Sequence, residues 1–426
     1  DALVADGATE VVLHHPDAPG GLRRRRRDHV APGHHQRHLV ALRRQQLIQT
    51  PLLVLKATRE LGITRSQCIL RRPLLIMGFS TLAIGILPTA DTIGVTAPII
   101  LIGLRFLQGF ALGGEWAGAV LLATEYAPEG RRGFFAIFPQ VGPAVGFALA
   151  SAVFLWSDLS LSTTAFLDYG WRIPFILSAV LVAIGFYLRA RVPETPVFER
   201  ARDRRTLPAQ KQVPEFAPIA QVLRADSSKT VLAGGAVISV FAMFLIAIVF
   251  VPAYASSPTG LAYERATVLM TSILAALTFA VGIMWSCSLA DRIGRVPVLQ
   301  LGILPTIVWA LALFPILESG LPGLILGMCG STFLAGLQYG TIGALLPELF
   351  AVRVRYTGAS LAYAIGSILG GAIPPIIAVE LMEHHGPPQI GIMIASLSVV
   401  SLACTLMIRE TKDLEFEELR HPMEPR

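Results

Sequence analysis

The residues best suited to chemistry stand where a polar group is most expensive to place. Arg105, Gln108 and Glu115 interrupt an apolar run that reads Arg105-Phe106-Leu107-Gln108-Gly109-Phe110-Ala111-Leu112-Gly113-Gly114-Glu115-Trp116. A guanidinium inside such a run either faces a polar cavity or a partner, or snorkels to the membrane surface. Gln108, three residues on, shares its helix face. Glu115 lies deeper, where a carboxyl is tolerated best in its neutral form; it is the candidate proton carrier, with a hydrogen-bonded packing role as the other reading. A second group is Leu289-Ala290-Asp291-Arg292-Ile293-Gly294-Arg295. Gly294 permits a tight turn, and Asp291 is expected to pair with Arg355 as a latch that breaks when the protein opens. Charges that only enforce topology are the alternative, but they explain the arginines and not Asp291 or Gly294. Arg292, Arg295, Glu129, Arg132 and Glu348 complete this expected gate, while Gln140, Trp285, Gln338 and Tyr339 either line a cavity or simply pack.

Long helices must position these residues. Of the 426 residues, 53% are hydrophobic and only 15% charged, and the mean hydropathy is +0.61, too apolar for a soluble globule. About ten runs are long enough to cross the hydrocarbon layer: Pro73–Ala90, Ala97–Tyr126, Gly133–Trp156, Trp171–Ala190, Lys229–Tyr254, Ala266–Ala290, Pro297–Leu317, Pro322–Leu346, Tyr356–Leu381 and Gln389–Ile408. In lipid each backbone amide must be satisfied within its own segment, so the expected class is an all-α integral membrane protein. Arginines recur in Glu125–Arg132, Arg189–Arg224, Asp291–Arg295, Ala351–Arg355 and from Arg409 onward, whereas Ser157–Gly170 and Glu318–Leu321 contain no Lys or Arg. The arginine-bearing set is therefore expected in the cytoplasm, with both ends of the membrane part inside.

Several function classes drop out. The net charge of +6 reads as an orientation device, because no soluble basic domain exists to bind nucleic acid. Cys68, Cys287, Cys329 and Cys404 show neither CxxC spacing nor histidine neighbours, so no disulfide framework, metal site or cofactor is expected. No HExxH, GxSxG or carboxylate cluster points to an enzyme. Residues 1–70 form a basic, non-spanning leader with Arg23–Arg27 and the unordered histidines His14, His15, His29, His34, His35 and His38. The stretch Leu39–Leu61 within it is either a surface-lying amphipathic helix or disordered.

Two signals repeat along the chain. Pro128-Glu129 with Arg132-Gly133 matches Pro347-Glu348 with Arg355 and Gly358, and Pro193-Glu194-Thr195-Pro196 matches Arg409-Glu410-Thr411-Lys412. The recurrences have the same expected sidedness, so the halves are parallel repeats: 71–190, then a linker 191–228, then 229–408 and a tail 409–426. Asp291-Arg292-x-Gly294-Arg295 resembles the signature loop of the major facilitator superfamily. Together with the Arg105–Trp116 run, Trp171-Arg172-Ile173-Pro174-Phe175, Pro193–Pro196 and Arg355-Tyr356-Thr357-Gly358, it resembles the metabolite:proton symporter family from about Arg71 onward. That resemblance implies alternating-access symport of a small organic solute, such as a carboxylate or osmolyte, with protons across the bacterial inner membrane. It also implies that Arg105 takes part in coupling or grips an anionic group. The family pattern has two sets of six helices, and only four precede the linker here, so the first two are expected to be missing. Residues before about Leu70 would then not be native transporter sequence, and transport is expected to be weak or absent. A receptor or scaffold derived from a carrier is the alternative function.

Overall fold

A computed structural model describes residues 65–128, 130–191, 217–351 and 354–412. Ten long helices run through them: α1 Arg65–Ile86, α2 Thr96–Glu125, α3 Arg132–Ser160, α4 Ile173–Arg191, α5 Ser227–Ser256, α6 Arg265–Ile293, α7 Arg295–Leu317, α8 Leu321–Glu348, α9 Arg355–His385 and α10 Pro387–Leu406. Nine meet the length and hydropathy of a membrane crossing among the described residues, and α1 adds a shorter apolar stretch, Pro73–Ile86. No strand occurs among the described residues.

The expected spans agree with these helices to within a few residues, apart from the first. Its helix begins at Arg65, and Pro73 is carried inside it. The expected far end, Ala90, instead opens a separate short helix, Ala90–Ile93. Hydropathy cannot find the true start, because the first turns are polar and only continue the backbone ladder. The linker contains a described helix, Ala217–Ala225; residues 192–216, the leader through Thr64, Glu129 and the tail beyond Lys412 lie outside the described residues.

Helices α1 to α4 form one group, with α1 against α2 and α4, and α2 against α3; helices α5 to α10 form the other, knit through α6–α8, α7–α8, α7–α10 and α5–α9. In hydrocarbon there is no hydrophobic drive between helices, so backbones approach where side chains are smallest. Gly282 on α6 and Gly336 on α8 face each other: a Cβ on either would come within 2.5 Å of a carbonyl of the opposite helix. The first group has glycines spaced four apart that make no such contact. Gly109, Gly113, Gly142 and Gly146 all have open space where a Cβ would go. The first group is correspondingly thin, and large apolar side chains on α2 such as Phe106 and Phe110 are about three-quarters exposed, at 75% and 73%.

Candidate functional site

The two groups meet along a seam where α3 lies against α6 and α8, and α2 lies against α9 and α8. At one end of this seam stands Asp291, near the last turn of α6. Its carboxylate accepts the backbone N–H groups of Gly133 (2.9 Å) and Phe134 (2.8 Å) at the start of α3. The first amides of a helix have no intrahelical acceptor and carry the positive end of its dipole, so a carboxylate satisfies both. The approach is close because residue 133 is glycine: a Cβ there would lie 2.7 Å from both Asp291 Oδ1 and the Cys287 carbonyl. The ion-pair partner of Asp291 is Arg295, at 3.3 Å. The expected Asp291–Arg355 latch is therefore not formed. The aspartate closes the seam on backbone amides, which leave no trace in side-chain patterns.

Arg295 continues the network. It is only 2% exposed and pairs through Nε (3.2 Å) and Nη2 (3.3 Å) with Glu348, itself 2% exposed, while Nη1 donates to the Ala290 carbonyl (2.8 Å). Two charges buried so deeply persist only with this fork geometry and satisfied remaining valences. Thr411 donates its hydroxyl to Glu348 at 2.6 Å. Glu410 accepts the N–H groups of Arg295 (2.8 Å) and Val296 (2.9 Å), so it caps α7 as Asp291 caps α3. Gly294 makes that turn with φ at 110°, a backbone region few other residues adopt. Arg292 is exposed, and its carbonyl accepts Lys412 Nζ at 2.7 Å. Arg355 is 3% exposed, donates to the Phe350 carbonyl at 3.3 Å and feels the charges of Glu125, Arg132 and Glu348. In the sequence Glu410 and Thr411 stand out only as part of a repeat, and nothing there shows that they join the Arg295–Glu348 network.

These contacts gather the start of α3, the α6–α7 turn, the end of α8, the start of α9 and residues 410–412 at one end of the molecule. The other end carries the Arg265–Asp158 pair (2.9 Å), which again joins α6 to α3. The α3–α6 pair is thus fastened at both ends. The α2–α9 seam instead closes through the first part of α9, Arg355–Gly366.

Deeper along the seam lies an aromatic and amide layer. Trp116 on α2 donates its indole N–H to Gln140 Oε1 on α3 (2.9 Å), and Gln140 Nε2 donates to the Tyr339 carbonyl on α8 (2.5 Å). Trp116 stacks on Tyr363 of α9 with centroids 4.0 Å apart, and the hydroxyls of Tyr339 and Tyr363 are 3.3 Å apart. Of the expected cavity residues, Gln140 and Tyr339 meet here. Gln338 faces α7, bonded to Thr306 Oγ1 at 2.9 Å, and Trp285 is half exposed, stacked on Phe333. Trp116, Tyr363 and Phe241 were not singled out as site residues, because an aromatic residue in an apolar span carries no mark of which way it faces. Arg105 is exposed and donates to Gln108 Oε1 (3.2 Å), and Gln108 in turn donates to Thr81 of α1 (2.7 Å). Glu115, the residue before Trp116, is half-buried.

Two groups of membrane-spanning helices meeting on a polar seam, with a charged clasp at one end, define a carrier of the major facilitator fold. The chain belongs to the family described as "Sugar (and other) transporter", whose profile matches residues 64–421. It is 40% identical over 345 residues to the inner membrane metabolite transport protein YhjE of Escherichia coli (strain K12), covering 80% of this chain and 76% of that protein. It is 29% identical over 350 residues to the proline/betaine transporter of the same organism, covering 81% of this chain and 69% of the relative. Among solved structures, the proton:xylose symporter XylE bound to 6-bromo-6-deoxy-D-glucose superposes with a TM-score of 0.63 at 16% identity, covering 83% of this chain and 82% of the other. The protein is thus a multi-pass transporter of the bacterial inner membrane and not an enzyme. The family match begins at residue 64 and α1 at Arg65, several residues before the expected start of the resemblance.

Proposed function

We propose that the chain takes up a small organic metabolite, a carboxylate or a zwitterionic osmolyte, together with protons by alternating access. The observation that carries this reading is the seam: at its end the clasp of Asp291 on Gly133 and Phe134 is made of two hydrogen bonds to main-chain amides, so it can break and reform. Substrate and protons would meet at the Arg105, Gln108 and Glu115 stripe of α2, where ionisable groups within a span are otherwise hard to sustain. The clasp end is the cytoplasmic one, since it holds the arginine-rich loops, and both ends of the membrane part lie there too.

The test is uptake by the full chain in proteoliposomes carrying an inward proton gradient, with proline, glycine betaine and short carboxylates offered separately. The expected outcome is saturable accumulation of one class that collapses with a protonophore and is lost in Arg105→Gln. Saturable binding without flux in the intact chain would overturn the reading in favour of a receptor.

A further inference from the structure

The aromatic layer on the seam has a composition that the coupling residues do not explain. Trp116 comes from α2, Phe241 from α5, Tyr339 from α8 and Tyr363 from α9, and all four are less than one-tenth exposed. At a rise of about 1.5 Å per residue, Trp116, Gln140, Tyr339 and Tyr363 each lie roughly 12–14 Å in from the clasp end of their helices. They therefore form one layer near mid-membrane. The rings stand as walls: Phe241 is nearly perpendicular to Tyr363 (87°, 5.0 Å) and to Tyr339 (83°, 6.5 Å), and Trp116 lies over Tyr363.

Most polar atoms of the layer are already paired within it. The indole N–H and both ends of the Gln140 amide are bonded, and the two tyrosine hydroxyls face each other. A hydroxyl-rich solute entering here would leave its own groups unpaired. None of the five side chains carries a full charge, so a carboxylate finds no counter-ion among them. What the layer offers is ring faces, whose negative quadrupole attracts a cation that needs no hydrogen bond.

We propose that Trp116, Phe241, Tyr339 and Tyr363 form an aromatic subsite for an N-methylated ammonium head group. The inference rests on the transport reading and sharpens its substrate class to solutes bearing such a head. The Trp116–Tyr363 stack is the closed form of the subsite. Parting α2 from α9 separates the two faces and admits a cation within about 6 Å of each ring. Because Trp116 belongs to one helical group and the other three rings to the second, the subsite is completed or undone by the same motion that opens the seam.

The test is equilibrium binding of radiolabelled choline to the full chain in lipid nanodiscs, with tetramethylammonium and the neutral isostere 3,3-dimethyl-1-butanol as competitors. Saturable choline binding, displaced by tetramethylammonium and not by the isostere, is expected. Trp116→Phe, which keeps a ring face, is expected to stay within about tenfold of the parent, and Trp116→Leu and Tyr363→Leu to bind at least about tenfold more weakly. Thermal unfolding of the leucine variants within a few degrees of Trp116→Phe excludes misfolding as the cause. Displacement by the isostere as effective as by tetramethylammonium, or equal binding by Trp116→Phe and Trp116→Leu, would overturn the subsite. Proton-driven accumulation of an anion by a preparation that does not bind choline sinks the subsite and leaves transport standing. Choline binding without any accumulation does the reverse.

Discussion

Arg295 and Glu348 show how a charged pair survives at the rim of an apolar bundle. Each is almost fully buried, so each depends on the other, Arg295 also on Asp291 and the Ala290 carbonyl and Glu348 also on Thr411. Removing one charge leaves an uncompensated ion, at a cost of about 3–5 kcal/mol, whereas replacing both by apolar side chains of similar volume is often close to neutral. Glu348→Gln is therefore expected to lower the thermal unfolding midpoint of the purified protein more than the double variant Arg295→Met/Glu348→Leu. A double variant that unfolds at the sum of the two single effects would show that the residues do not act as a pair. The sequence disclosed that Asp291, Arg295, Glu348 and Arg355 belong together, because charges bordering apolar runs are few. It did not disclose who pairs with whom. Asp291 gives each of its two oxygens to a main-chain amide, and Glu348 turns to Arg295 across the bundle; neither choice leaves a mark in residue type or spacing.

Helices α5 and α9 are the irregular elements. The first breaks at Val237 and carries a π-turn over Ile246–Phe250; the second carries a π-turn over Ser367–Ala372. The break in α5 is bridged from α10, where Ser401 accepts the N–H of Ser239 (2.9 Å) and donates to the Gly235 carbonyl (2.8 Å). The irregular stretches touch where Gly370 lies against the Ile238 carbonyl, while a Cβ on neighbouring Gly371 would meet only side chains, nearest Leu245 Cδ1 at 3.3 Å. Backbone cannot yield as a side-chain end can. Gly370→Ala is thus expected to destabilise by about 2 kcal/mol or more and Gly371→Ala by less than about 1 kcal/mol. Thermal midpoints that fall equally would show that the α5–α9 contact is loose. Span positions were legible in the sequence to within a few residues because a membrane crossing needs a fixed apolar length. The break and the π-turns were not, since an apolar residue in a distorted turn has the same hydropathy as one in a regular turn. Nor could the sequence show that the glycine spacings in α2 and α3 face open space while Gly282, Gly336 and Gly370 carry the close contacts.

At the scale of the whole molecule, the most extensive contact between the two helical groups runs along α3 and α6, fastened by Asp291 at one end and by the Arg265–Asp158 pair at the other. An opening at the Asp291 end must first lift Gly133 off Cys287, whose carbonyl lies directly behind it. Cys287 is fully buried, and its thiol donates to the Gly340 carbonyl at 3.3 Å. That thiol, one turn before Asp291 and packed between α6 and α8, is a native reporter of opening at this end of α6. With Cys68, Cys329 and Cys404 replaced by alanine, maleimide labelling of Cys287 is expected to be slow, governed by the rare open form. Asp291→Ala removes a helix cap and the clasp between the groups, a loss of about 1–2 kcal/mol. If the seam is the gate, that loss falls on the closed form alone and raises the open population, and with it the labelling rate, roughly 5- to 30-fold. Asp158→Ala, at the far end of the same helix pair, removes a part-exposed ion pair worth about 0.5 kcal/mol and is expected to leave the rate within about threefold. Equal acceleration by both variants would mean that α3 and α6 separate as a whole by unfolding, and unchanged labelling in Asp291→Ala would mean that the aspartate holds nothing shut. Labelling confined to the Asp291 variant is the pattern that a carrier rocking about the α3–α6 pair requires.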